Sequence, residues 1–357
     1  MSTTKLTSHE RISRMFAHQD ADRIPISEGP WGPTLARWRR EGLGDEDFVA
    51  RFDLDRIAGI GVDNGPRFPR EVVEETAEYV IATTSWGVTQ KNWKNQASVP
   101  EILDVKVKTP DDWRACKARM TPSDDRINWA HLKEHYPRWR EQGCYLVGNG
   151  WFGFDITHAQ FIGTDRVLFG LVENPEWIVD MWQTELDLNL ALLDRVWDAG
   201  YRFDALRWPD DMGYKKSQFF SLKMYRQFLK PIHQQAVEWA HRKGIKAWLH
   251  SCGDIRPLVP DLVALGIDGL NPIEVKAGMD PLALKRDYGD RLLLHGGINA
   301  LIWRDVDEME RTVREVVPVL KQHGGYIFAT DHSVPSNVSL DMFGRIIAVV
   351  KEVGSYN

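Results

Sequence analysis

The second half of the chain alternates short apolar segments with longer helical patterns, and this alternation restricts the fold more than any other feature. Six short segments rich in apolar residues predict strands: 144–150, 203–208, 246–251, 267–273, 291–298 and 325–331. After each of them, apolar residues recur at three- and four-residue spacing, which predicts helices. Strands that alternate with helices predict a parallel sheet.

The first half adds two strand candidates, 23–29 and 55–61, which raises the number of strand–helix units to about eight. This number predicts a (β/α)₈ TIM-type barrel, and a doubly wound open sheet is the alternative. Residues 66–140 interrupt the alternation with a hairpin or small sheet and two helices. We interpret them as an insertion that covers the barrel mouth within one domain, residues 1–357.

Composition excludes several classes of partner. The net charge is -6 and no dense basic cluster occurs, so we expect no nucleic-acid binding. No segment of 18 apolar residues and no secretory leader pattern occurs, and Cys116, Cys144 and Cys252 are scattered. We therefore expect a soluble, cytoplasmic protein without disulfides. The sequence leaves the oligomeric state open, with a homodimer among the alternatives.

Polar residues collect at the predicted carboxyl ends of successive strands, where barrel enzymes place their chemistry. They are Asp210, Asp211, His250, Cys252, Glu274, His295, Asp331 and His332. Each residue alone has an ordinary structural explanation, such as a helix cap or a buried hydrogen bond. Because the predicted fold brings these strand ends together, we expect the side chains to converge on one cavity.

The segment AWLHSCGD contains His250 and Cys252, two positions apart at a strand end. Residues i and i+2 of a strand point to the same side, so both side chains can reach one ion. Zinc accepts nitrogen and sulfur ligands, and a third ligand must then come from another strand. Glu274, His295 and His332 are the candidates for that ligand.

Three segments carry a family resemblance: HSCGDIRPLVPDLVALGIDGLNPIE, YGDRLLLHGGI and GGYIFATDHSVPSNVSLDMF. They resemble the uroporphyrinogen decarboxylase superfamily over roughly residues 145–355, and the N-terminal part resembles it more loosely. That superfamily includes the decarboxylase of haem biosynthesis and zinc-dependent methyltransferases that exchange methyl groups between corrinoid proteins and thiols or other acceptors. The resemblance implies a (β/α)₈ barrel, in agreement with the strand count.

The resemblance is closer to the methyltransferase branch. The arginine-rich motif of the decarboxylases, RPVWxMRQAGRY, is absent from the corresponding segment DRIPISEGPWGPTLARWRREG. His250 and Cys252 match the His-x-Cys pair of the methyltransferases. Their third ligand is usually a cysteine, and here the segment ATDHSVP offers His332 instead. The resemblance thus implies Zn²⁺ held by His250, Cys252 and His332, with Glu274 as a fourth ligand that substrate displaces.

The implied reaction moves a methyl group between a small substrate and a corrinoid (cobalamin). No Asp-x-His-x-x-Gly pattern occurs, so we expect the corrinoid on a separate protein. A site with one thiolate instead of two is a harder Lewis acid, which favours a methoxy or hydroxy compound over a thiol. The expected activity is therefore O-demethylation or a related transfer.

Further residues receive expected roles under this resemblance. Asp210, Asp211, Tyr214 and Glu274 are predicted to be catalytic, by orienting substrate or exchanging its proton. Five residues are predicted to contact substrate: Trp31, Arg67, Trp151, Arg207 and His295. His295 is expected to line the pocket rather than to bind metal.

Two other functions remain open at this point. In a metal-independent decarboxylase or lyase, Arg67, Arg70 and Arg207 would hold substrate carboxylates while Asp211 handled protons. A non-enzymatic ligand-binding or corrinoid-binding protein on the same barrel would take up its ligand without turnover.

Overall fold

The computed structural model describes residues 5–94 and 100–356. In chain order the strands are β1 (Ile57–Ile60), β2 (Glu71–Glu75), β3 (Tyr79–Thr83), β4 (Val88–Trp93), β5 (Glu101–Val105), β6 (Tyr145–Asn149), β7 (Ala205–Pro209), β8 (Gly213–Tyr214), β9 (Ser217–Gln218), β10 (Lys246–His250), β11 (Gly269–Asn271), β12 (Leu293–His295) and β13 (Tyr326–Ile327). All six strands predicted in the second half are present.

Seven of these strands form one parallel sheet in the order β1-β6-β7-β10-β11-β12-β13. The N-terminal segment closes it, because Ile26 bridges Phe328 in parallel and its carbonyl accepts a hydrogen bond from the Asp55 amide (2.8 Å). Chain order and spatial order therefore agree around the whole ring. The (β/α)₈ prediction is confirmed, and the alternative of an open doubly wound sheet, whose strand order would reverse, is wrong.

The helices are α1 (Ser8–Phe16), α2 (Gly32–Trp38), α3 (Phe48–Arg51), α4 (Pro110–Lys117), α5 (Trp129–Glu141), α6 (Phe154–Ile156), α7 (Thr164–Glu173), α8 (Pro175–Asp198), α9 (Leu222–Met224), α10 (Lys230–Arg242), α11 (Val259–Leu265), α12 (Pro281–Tyr288), α13 (Val306–Leu320) and α14 (Leu340–Gly354). A π-helical turn at Tyr225–Leu229 joins α9 to α10. Pro231, which has no N–H to donate, lies in the first turn of α10, directly after this π-helical turn.

Residues 66–140 contain a second, antiparallel sheet in the order β2-β3-β4-β5. Trp86 follows β3, and its ring lies 6.1 Å from the ring of Trp151, directly beyond β6. The sheet therefore contacts the carboxyl end of the barrel strands, and its interpretation as a cap stays a prediction. Helix α5 also falls within 66–140, but it ends shortly before β6, where a barrel repeat places its own helix.

The barrel interior is apolar at its amino end and polar at its carboxyl end. Phe16 of α1 closes the amino end, with its ring 5.4 Å from Trp248 and 5.7 Å from Tyr145. The Arg207 guanidinium lies over the Trp248 ring, 5.0 Å from its centroid. This polarity favours the carboxyl end as the place for chemistry. No helix among the described residues has both the length and the apolarity needed to cross a membrane.

Candidate active site

The end of β10 brings the His250 and Cys252 side chains together. The Sγ atom of Cys252 lies 3.4 Å from Nε2 of His250. The other ring nitrogen, Nδ1, lies 2.5 Å from Oδ1 of Asn271 on the neighbouring strand β11. An amide oxygen only accepts hydrogen bonds, so Nδ1 carries the proton and Nε2 presents its lone pair to Cys252.

Asp211 completes the group. Its Oδ1 lies 3.7 Å from His250 Nε2 and accepts a 2.8 Å hydrogen bond from the Cys252 amide. One ligand atom each from Asp211, His250 and Cys252 lies within 4.8 Å of the other two, the only such group of three found among the described residues. Nitrogen, sulfur and carboxylate oxygen are the donors that zinc takes in proteins, so this donor set fits the metal expected from the sequence.

Two glycines allow the Asp211 loop to pack against Cys252. Gly253 has φ +82°, and a Cβ atom there would lie 2.1 Å from the carbonyl carbon of Gly213. The backbones are joined by a 2.9 Å hydrogen bond from the Asp254 amide to the Tyr214 carbonyl. Only glycine permits this approach, which explains the glycine that follows Cys252 in the sequence.

Burial sets the electrostatics of the pair. It raises the pKa of the Cys252 thiol, and the negative charges of Asp211 and Glu274 raise it further. Burial also lowers the pKa of His250 against the opposing effect of Asp211. Protein alone therefore keeps both groups neutral, and a bound cation would have to displace the thiol proton.

The three candidates for a further ligand lie outside this group of three. Glu274 accepts a 2.6 Å hydrogen bond from the Gly253 amide. His332 is exposed, and its ring lies 5.2 Å from the ring of Trp31. His295 is buried with Nε2 3.4 Å from the Ser27 carbonyl, and burial lowers its pKa to about 3. The expectation that His332 completes a metal site stays a prediction.

Two cavities open at this end of the barrel. The Trp151 cavity, about 490 Å³, is lined by Trp151, Val62 and Pro209 together with Arg207 and His250. The His332 cavity, about 360 Å³, is lined by Trp31, Cys252, His295 and His332, again with Arg207 and His250. Because Arg207 and His250 line both, the two cavities meet beside the metal-binding group.

Two predicted site residues lie away from these cavities. Arg67 pairs with Asp63 (2.6 Å) and with Asp125, and it lines neither cavity. Tyr214 lies on the short β8–β9 hairpin, 47% exposed, with its ring 5.5 Å from Phe219. The structure thus brings neither side chain to the cavity walls.

Asp210 is fully buried behind the site. Its Oδ2 lies 2.7 Å from His233 Nε2, and its Oδ1 accepts a 2.7 Å hydrogen bond from the Asp155 amide. Burial raises the pKa of this carboxyl against the effect of His233. With these partners, Asp210 positions the Asp155 and Asp211 loops and does not face the cavities.

Sequence reasoning missed two residues of the site. Asp155 accepts a 3.1 Å hydrogen bond from the Trp151 indole, and burial together with the charge of Asp211 raises its pKa to about 7. It lies in the segment WFGFD after β6, and an acidic residue so close to a strand end could have indicated a residue of the site. Asn271 ends β11, and no pattern distinguishes such an amide from any other.

Comparisons with known proteins agree with this architecture. The profile of the family described as uroporphyrinogen decarboxylase (URO-D) matches residues 160–353. Among solved structures, a methyltransferase from Methanosarcina mazei is 16% identical, with 98% of this chain and 99% of that chain covered and a TM-score of 0.65. No curated protein matches the chain significantly.

Two further structures are more distant. A putative vitamin-B12 independent methionine synthase from Listeria monocytogenes is 10% identical, with 94% of this chain and 98% of that chain covered and a TM-score of 0.38. Xylanase 10B from Thermotoga maritima is 11% identical, with 66% and 83% covered and a TM-score of 0.38. The superfamily predicted from the sequence motifs is confirmed by the profile. Because that match spans more than half of the chain, the protein belongs to the uroporphyrinogen decarboxylase (URO-D) family.

Proposed function

We propose that the protein is a zinc-dependent methyltransferase that moves a methyl group between a small methoxy or hydroxy compound and a corrinoid carried by another protein. The observation that carries the proposal is the grouping of Asp211, His250 and Cys252 at the carboxyl end of the barrel. The M. mazei protein of the same fold is itself described as a methyltransferase, which supports the class of reaction.

The residues of the site have different roles in the proposed reaction. Asn271 fixes the His250 tautomer, so that Nε2 is free to bind metal beside the Cys252 sulfur. Zinc, when bound, acts as a Lewis acid that stabilises negative charge on the substrate heteroatom. Trp151 and Pro209 supply apolar wall beside His250, which would limit the access of water to a bound substrate.

The donor set bears on the choice of substrate. With Asp211 as third ligand, one thiolate and one carboxylate carry the same total charge as two thiolates, because ligands are deprotonated in the complex. The preference for oxygen then depends on hardness alone, since a carboxylate is a harder ligand than a thiolate. A His332 ligand would instead lower the charge of the site. Both alternatives favour an oxygen-bearing substrate.

A metal-independent decarboxylase is the second candidate. It is favoured by Arg207, whose guanidinium lines both cavities and has no carboxylate partner in the described part of the chain. In that reaction Arg207 would hold the carboxylate that is lost, and no metal would be required.

Methyl transfer to Co(I) cobalamin tests the proposal. The zinc-loaded protein, mixed with cob(I)alamin and a panel of methoxy compounds, should give the absorbance change of methylcobalamin. The rate should be lost after chelation, restored by zinc, and lost in Cys252→Ala, with the exposed-residue variant Arg304→Met as control. Release of CO₂ from a carboxylic acid by chelated protein would instead support the decarboxylase.

A further inference from the structure

Arg207 is half-buried at the cavity walls, and its contacts differ from those of the fully buried Arg11 and Arg126. Arg11 pairs with Asp22 at 2.6 Å and with Asp55 at 2.5 Å. Arg126 donates to four backbone carbonyls at 2.6–2.8 Å. Arg207 makes one hydrogen bond, from Nη2 to the Asn271 side-chain oxygen (3.2 Å), and no ion pair among the described residues. Even partial burial of a guanidinium without a counter-ion is costly, so the arrangement favours an anion that the described residues do not supply.

The acidic residues near Arg207 are engaged elsewhere. Glu28 lines the His332 cavity, but its Oε2 accepts from the Thr330 amide (2.6 Å) and hydroxyl (2.8 Å), and its Oε1 from the Gly29 amide (3.1 Å). Burial also raises the pKa of Glu28 to about 7, which weakens it as a counter-ion. Asp211 belongs to the metal-binding group. The free positions of the guanidinium are therefore open to a ligand.

Arg207 lines three cavities of the barrel. It lines the Trp151 cavity, the His332 cavity and a third cavity of about 480 Å³ beside β1. Asn271 links it to the metal-binding group, since the same Oδ1 accepts from Arg207 Nη2 (3.2 Å) and His250 Nδ1 (2.5 Å). A ligand held by Arg207 therefore lies next to His250 without spanning a long distance.

The residues that line the Trp151 cavity indicate the chemical nature of the rest of that ligand. Trp151, Val62 and Pro209 give the Trp151 cavity apolar surface beside Arg207 and three asparagines, Asn64, Asn149 and Asn189. The guanidinium packs over the Trp248 ring on the side of the barrel's amino end, and this contact restricts its orientation. A planar carboxylate matches the fork of an arginine in two parallel hydrogen bonds.

We infer that the substrate is a small aromatic carboxylic acid: its carboxylate pairs with Arg207, its ring lies against Trp151, and its methoxy or hydroxy oxygen reaches the Asp211–His250–Cys252 group. The part of this inference that concerns the reacting oxygen rests on the proposed function. The part that concerns the carboxylate depends on Arg207 alone.

Calorimetric titration of the full chain with benzoate and with its neutral analogue benzamide tests the carboxylate. The wild type should bind benzoate roughly tenfold or more tightly than benzamide. Arg207→Met should remove this preference, and Arg207→Lys should keep part of it, because lysine supplies the charge without the planar fork. Arg304→Met, an exposed arginine, should bind like wild type.

Several results would overturn the inference: equal binding of benzoate and benzamide by the wild type, unchanged benzoate binding in Arg207→Met, or tighter binding of benzenesulfonate than of benzoate. If Arg207→Met does not fold, as judged by circular dichroism, the wild-type ratio and Arg207→Lys decide. Titration in the presence and absence of zinc separates the two proposals. If the wild type binds no zinc but still prefers benzoate to benzamide, the proposed function is contradicted and the role of Arg207 is supported.

Discussion

The Nδ1 atom of His250 lies 2.5 Å from the side-chain oxygen of Asn271, and this contact decides which nitrogen of the ring faces Cys252. Such outer partners orient metal-binding imidazoles, and their loss typically weakens metal binding by about 10–100-fold. We therefore expect Asn271→Ala to raise the zinc dissociation constant by about that factor, measured by competition with a chelator. The exposed Asn337→Ala is the matched control. An Asn271→Ala variant with wild-type zinc affinity would show that the contact does not act on the metal.

The structure and the family resemblance suggest different residues as the third zinc ligand. Asp211 lies with the pair in the structure, whereas the His332 ring packs against Trp31 at a tilt of 34°. We expect Asp211→Asn to weaken zinc binding more strongly than His332→Ala, because an amide is a much poorer ligand than a carboxylate. Each variant controls for the other in one chelator competition assay. The reverse order of effects would mean that His332 moves onto the metal, as predicted from the sequence.

The buried pair of Asp210 and His233 should contribute to stability rather than to metal binding. Both side chains are fully buried and 2.7 Å apart. Removal of His233 leaves the Asp210 carboxyl buried without its hydrogen-bond partner. His233→Ala should therefore lower the free energy of unfolding by about 3–5 kcal/mol in urea titrations. The comparable pair of His241 and Asp268 is more exposed, and His241→Ala should cost less than about 1 kcal/mol. Equal losses in the two variants would contradict this assignment.

Glu28 should make stability depend on pH. Burial raises its pKa from 4.5 to about 7, so the folded state holds a proton that the unfolded chain releases at lower pH. The free energy of unfolding should then fall as pH rises from about 4.5 to about 7, by about 3 kcal/mol at most. Glu28→Gln should remove this part of the pH profile, and the exposed Glu315→Gln should keep it. Parallel profiles for wild type and Glu28→Gln would exclude this role.

The barrel could be predicted because its signals are local. Alternating apolar segments and helical patterns depend on residues close in sequence, and the strand ends placed His250, Cys252 and Asp211 at one edge of the sheet. What the sequence could not show depends on distant contacts. Arg67 was expected at the substrate, but it pairs with Asp125, far along the chain.

Other parts of the site escaped prediction for related reasons. Tyr214 is exposed because two very short strands, β8 and β9, turn the chain outward, and no periodicity reveals strands of two residues. Asp155 acquires its raised pKa only when the fold buries it and brings Asp211 near it. Burial and neighbouring charge, which give such groups their chemistry, are properties of the folded chain.

Zinc content tests the central claim most directly. The full chain, dialysed against chelator and then reloaded with zinc and desalted, should retain about one zinc ion per chain by elemental analysis, as expected for a single site of three protein ligands. His250→Ala and Cys252→Ala, verified as folded, should retain none. A wild type that retains no zinc, or variants that retain as much as the wild type, would contradict the metal site on which the proposed function depends.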